Sequence, residues 1–130
     1  RLYSPIHSLS RVALEDDTIG GYHIPAGSTM MVSLYATHRL PNHWHDPECF
    51  DPERFSPENV KARHRYAYIP FAVGHRNCIG GFQAIINAKI NTVAIAQRYK
   101  LSLVPGHKVE MDPRTTMRPR YGMMMHLHAR

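Results

Sequence analysis

The sequence predicts a mixed α+β chain: short antiparallel strands near both ends, a long irregular meander between them, and one long helix in the second half. Three observations carry this prediction. Residues 12–34 hold strand-length apolar runs separated by glycine and proline turns, and residues 40–57 hold prolines at 41, 47, 52 and 57 with no surviving period. From residue 79 to about 99, apolar side chains recur at helical spacing. The 130 residues read as one part of a larger domain, because the chain opens on Arg1 without an initiator Met.

In order, Val12-Ala13-Leu14, Tyr22-His23-Ile24 and residues 30–34 are strand candidates. Gly20-Gly21 and Pro25-Ala26-Gly27 supply the turns between them, and together they suggest a small antiparallel sheet. The proline-rich meander that follows is long for a compact domain and needs an anchor. In the helix, Ile79, Phe82, Ile86, Ile90 and Val93 form one stripe, widened by Ile85, Ala88, Ala96 and Tyr99. A helix apolar over so much of its circumference belongs inside a larger protein. The end returns to strands over residues 101–104 and 122–127, with Pro105-Gly106 and Asp112-Pro113 read as turns.

The net charge of +6 comes from scattered Lys and Arg without a zinc-finger or basic-helix pattern, so nucleic acid is not an expected partner. Cys49 and Cys78 lack paired spacing, which argues against a disulfide framework. His43 and His45 flank Trp44, but no second group of ligands completes a zinc set. No charged-then-apolar leader and no run of ~18 apolar residues is present, so no signal peptide and no membrane segment are expected in this chain. The reading is of a soluble, cytoplasmic protein, with an anchor in an upstream part left open.

The densest signal is the loop formed by Pro70, Phe71, Ala72, Val73, Gly74, His75, Arg76, Asn77, Cys78, Ile79 and Gly80. Cys78 lies at the start of the helix, where unpaired backbone N–H groups and the helix dipole favour a thiolate, hence a metal ligand or a nucleophile. Gly74 allows a tight bend, and Gly80 removes a side chain that would collide with a flat ligand over the helix start. Phe71 can pack beside the sulfur, and Arg76 offers a forked cation suited to a carboxylate.

The spacing Phe71-x-x-Gly74-x-Arg76-x-Cys78-x-Gly80 resembles the heme-binding signature of the cytochrome P-450 family, and Ala84 falls where that family usually has alanine. Pro52-Glu53-Arg54-Phe55 is similar to its P-E-R-F segment, and the match runs over essentially the whole chain. The resemblance implies a mainly α fold with small antiparallel sheets, of which this chain is the carboxy-terminal heme-binding portion. It implies heme b with Cys78 as axial iron ligand, bordered by Pro70, Phe71, Ala72, His75, Arg76, Ile79, Gly80 and Ala84, with Arg11 on a propionate. It further implies a structural charge cluster of Arg1 and Arg54 with a Glu three residues before Arg1, and a pocket touched by Ile6, Leu9 and Thr115.

The implied activity is O2-dependent hydroxylation of a small apolar organic substrate. Electrons would come from NAD(P)H indirectly, through a ferredoxin or flavin reductase docking on a basic face of Lys61, Arg63, Arg65, His75, Arg76 and Lys89. A peroxygenase or isomerase of the same heme-thiolate type, or an inert heme-binding fragment, are the alternatives. Two positions depart from the family pattern: Asn87 stands where Glu is usual, and Leu40 where Asp is common.

Overall fold

Period-two segments closed by glycine turns make four two-stranded antiparallel ribbons in the computed structural model, which describes residues 1–130 as two units, Arg1–Pro70 and Phe71–Arg130. In the first unit, β1 (Ser8–Val12) pairs with β4 (Thr29–Ser33), from Ser8 opposite Ser33 to Val12 opposite Thr29. The hairpin of β2 (Asp17–Ile19) and β3 (Tyr22–Ile24) turns through Gly20 and Gly21, at φ +59° and +86°. Two successive positive φ values are what a tight hairpin turn with matching twist demands.

The single small sheet expected from the sequence is therefore two separate ribbons. The first strand also sits earlier than expected, since Leu14 turns out to solvent at 96% exposure.

Ser33 caps the short α1 (Leu34–Thr37), its Oγ accepting from the Ala36 N–H at 3.1 Å. The irregular stretch is not featureless: Pro52–Phe55 forms a 3-10 turn and α2 spans Pro57–Ala62. Both begin on proline, whose fixed φ suits a first helical position and whose missing N–H would have had no partner there. Asp51 accepts from Glu53 N–H at 2.9 Å and Ser56 Oγ from Asn59 N–H at 3.4 Å, so each start is capped. In a stretch expected to be irregular, these prolines conceal two helical starts.

The core of this unit holds Leu34, Trp44, Ala67 and Ile69. Trp44 anchors the meander, with the Arg1 guanidinium 4.9 Å and that of Arg63 4.6 Å from its ring centroid. The same Arg63 cation lies 4.9 Å from the Phe55 ring. Aromatic faces and guanidinium planes thus replace the aliphatic packing that a proline-rich segment cannot supply.

In the second unit, α3 (Gly81–Arg98) starts two residues later than the periodicity predicts, because Ile79 and Gly80 form a turn ahead of it. Its apolar stripe is present but uncovered by this chain: Phe82 is 78% exposed, and of the whole helix only Gly81 is buried. The helix is followed directly by β5 (Tyr99–Leu103), which pairs with β8 (Met125–Ala129). Asp112-Pro113, expected as a turn, belongs to β6 (Met111–Pro113), paired with β7 (Met117–Pro119). The Asp112 carboxylate takes Arg114 Nε at 2.8 Å and faces Arg118 Nε at 3.7 Å, which binds it into the ribbon and moves the turn to residues 114–116. No helix is long and apolar enough to cross a membrane.

Candidate functional site

The cysteine loop is held by its own backbone. Cys78 N–H donates to Phe71 C=O at 2.8 Å, Asn77 N–H to Gly74 C=O at 3.1 Å, and Gly81 N–H to Cys78 C=O at 3.3 Å. Residues Gly74–Arg76 form a single 3-10 turn. Gly74 sits at φ +77° with nothing within 4 Å of an added Cβ, so what it contributes is conformation, as expected. Ala72 is also left-handed at φ +63°, a conformation that L residues rarely adopt and that no sequence signal announces.

The two glycines after the cysteine act differently. A Cβ on Gly80 would lie 3.9 Å from Cys78 Sγ, so its absence clears the flank of the sulfur. A Cβ on Gly81 would lie 3.0 Å from Phe71 Cγ and 3.3 Å from both Cδ atoms, so its absence lets the Phe71 ring lie directly on the helix start. The role of Gly81 escaped the sequence reading; the doubled glycine was its only sign.

Cys78 is a free, exposed thiol. Beside it Ile79 is fully exposed, and Phe82 shows most of its ring. Ala84, on the first turn of α3, is exposed and donates its N–H to Gly80 C=O at 2.9 Å. Pro70 and Ala72 are half-buried, whereas His75 and Arg76 stand exposed on the 3-10 turn. A bare thiol, a flank cleared by glycine, and an apolar rim with a cation nearby in sequence fit a flat, apolar, anionic group such as heme.

In the first unit, Arg11 projects from β1, exposed, with Nη1 donating to Ser10 C=O at 2.8 Å, while Ile6 and Leu9 are half-buried. Thr115 is at the tip of the β6–β7 ribbon in the second unit.

The structure brings Arg1 and Arg54 into one cluster, together with Arg39. Arg1 Nη1 donates to His38 C=O at 2.7 Å and Nη2 to Cys49 C=O at 3.1 Å. Arg54 Nη2 donates to Asp46 C=O at 3.0 Å, and Arg39 Nε pairs with Glu48 at 2.7 Å. Burial, then the positive charges of Arg54 and Arg39, push the Arg1 guanidinium below its ordinary pKa, with Glu48 opposing. Arg54 Nε is buried without a hydrogen bond, 3.8 Å from Asp51 Oδ2. Three converging cations with one buried N–H unsatisfied are suited to a further carboxylate. No group of three or more His, Cys, Asp or Glu side chains is placed to hold a metal ion.

The cytochrome P-450 family model matches residues 1–127. Human cytochrome P-450 4B1 is 38% identical over 128 residues, covering 98% of this chain and 25% of the relative. The putative cytochrome P-450 132 of Mycobacterium tuberculosis is 35% identical, covering 95% and 26%. Among solved structures, the cytochrome P-450DA heme domain superposes with a TM-score of 0.92 at 32% identity, covering 99% of this chain and 29% of that one. The chain thus spans about a quarter of the length of the curated relatives it matches. With its glycine-flanked thiol, its arginine-tied meander and these matches, the chain belongs to the cytochrome P-450 family.

Proposed function

We propose that this chain is the heme-binding portion of a heme-thiolate monooxygenase, with Cys78 Sγ as the ligand to the heme iron. The observation that carries the reading is the free Cys78 thiol, exposed before α3, with Gly80 leaving its flank clear. When bound, the heme supplies iron chemistry that activates O2 for insertion into a substrate.

The residues of this chain prepare that chemistry. Cys78 offers the sulfur from a loop fixed by the Phe71 carbonyl. Phe71, seated on Gly81, keeps an apolar ring against the helix start and limits water there. Arg76, with His75 beside it, offers donors to a heme carboxylate, and Arg11 is assigned a second one. Pro70, Ala72, Ile79 and Ala84 line the heme, Arg1 and Arg54 tie the meander, and Ile6, Leu9 and Thr115 border an apolar substrate. Reducing equivalents reach the site from NAD(P)H through a ferredoxin or flavin reductase. We place the full-length protein in the cytoplasm, with a membrane anchor upstream of this chain as the alternative; fractionation separates the two.

The reduced, carbon-monoxide-bound spectrum of the full-length protein tests the ligand. Cys78→Ala is expected to abolish the thiolate-type absorption, and Cys49→Ala to leave it intact. The opposite pattern would reject Cys78 as the ligand.

A further inference from the structure

His38 is a fully buried side chain that the proposed mechanism does not use. Its Nε2 accepts a hydrogen bond from the Ile69 N–H at 3.0 Å, and its ring leans on Tyr68 at 5.1 Å between centroids. An imidazole that accepts at Nε2 carries its proton on Nδ1, and Nδ1 has no hydrogen-bond partner. The backbone around it is fixed as well: His38 N–H donates to Leu34 C=O at 2.9 Å, and its own carbonyl receives Arg1 Nη1 at 2.7 Å. Ile69 immediately precedes Pro70, where the cysteine loop opens.

We propose that His38 is a positioning residue: as a neutral acceptor it latches the backbone at Ile69, the point from which the chain enters the cysteine loop, and protonation releases the latch. A second proton on the ring would turn the acceptor into a donor facing another N–H, at the cost of the bond. The surroundings oppose that proton. Burial first, and further the guanidinium groups of Arg1 and Arg39, push the His38 pKa below its ordinary value, with the Arg1 backbone favouring the charged form. Tyr68 faces the ring as a neutral phenol, its own pKa raised by burial, and Glu48 is engaged by Arg39.

The direction follows from linkage. Above about pH 6.5, the ordinary histidine value, latched and open forms are both neutral and the latch has full strength. As pH falls below that, the open form takes up a proton that the latched form refuses, so opening grows by up to about tenfold per pH unit and levels once the lowered pKa of the latched form is passed. The latch does not rest on the heme-thiolate reading.

Hydrogen exchange of the Ile69 amide in the full-length protein, corrected for intrinsic rates between pH 7.5 and 4.5, reads the latch directly. Wild-type protection is expected to fall at least tenfold across this range. His38→Gln, which keeps an acceptor that does not titrate, is expected to hold protection flat with pH, and His38→Ala to lose it at every pH. The proposal is overturned by unchanged wild-type protection, by a Gln variant as acid-sensitive as wild type, or by an Ala variant fully protected at pH 7.5. Should either variant fail to fold, the 15N shifts of wild-type His38 decide: the Nδ1–H tautomer persisting below pH 5 supports the latch, and a midpoint near 6.5 ends it. Neither measurement depends on the iron ligand, so loss of the Cys78 assignment would leave this test standing.

Discussion

A missing β-carbon has two distinct uses side by side in this protein. Gly80 leaves room next to a sulfur, whereas Gly81 lets an aromatic ring touch a helix backbone. Gly81→Ala forces its new methyl group to within 3.0 Å of Phe71 Cγ, and the ring, half-buried, must shift away from the helix start. An overpacked contact of this kind costs about 1–3 kcal/mol. In the full-length protein, Gly81→Ala is therefore expected to lower the thermal midpoint and the heme content together. Gly81→Ala combined with Phe71→Leu, which relieves the clash, should recover part of both; a single variant with unchanged midpoint and heme content would show that the ring does not need that seat. Much at this scale was legible in the sequence: Cys78, Gly74 and Gly80 bear residue types that few conformations or chemistries require. Ala72 was not legible, because a left-handed alanine is set by the loop around it and not by its own side chain. Nor was His38, since nothing in one histidine's identity distinguishes a buried acceptor from the other nine in the chain.

At the scale of elements, the long helix and strands such as Tyr22–Ile24 and Tyr99–Leu103 could be read from periodicity, but the β6–β7 ribbon could not, nor could the helical starts inside the meander. There the pattern is local: an acceptor side chain followed by proline, at Asp51-Pro52 and Ser56-Pro57. Asp51 both caps the 3-10 turn, through Glu53 N–H at 2.9 Å, and lies 3.8 Å from Arg54 Nε. Two substitutions separate these contributions. Asp51→Ala removes cap and charge and is expected to cost about 1 kcal/mol of stability, while Asp51→Asn keeps a capping oxygen and should cost much less. Denaturant unfolding of the full-length protein measures both. Equal losses would assign the stabilisation to the ion pair and not to the cap, a result that the long 3.8 Å separation and the partly exposed Asp51 carboxylate argue against.

For the whole molecule, the decisive quantity is apolar surface left facing water. Alternation along β5 and β8 puts Tyr99, Leu101, Leu103, Met125 and Leu127 on one face of their ribbon and Lys100, Ser102, His126 and His128 on the other. The apolar face is nonetheless open, with Leu127 at 64% exposure, and α3 shows Ile90 at 61% and Val93 at 53%. Patterning that strong is wasted in water, and proteins of this size rarely expose contiguous apolar area on such a scale. Because the chain spans about a quarter of its curated relatives, the matching cover is expected from the remainder of a family member. Residues 1–130 produced alone should bind an apolar dye such as anilinonaphthalene sulfonate strongly and melt without a cooperative transition. The full-length protein should bind little dye and melt cooperatively. A cooperative, dye-free transition of the isolated chain would mean that its own contacts suffice, and that the apolar faces of α3 and of the β5–β8 ribbon serve some end other than burial.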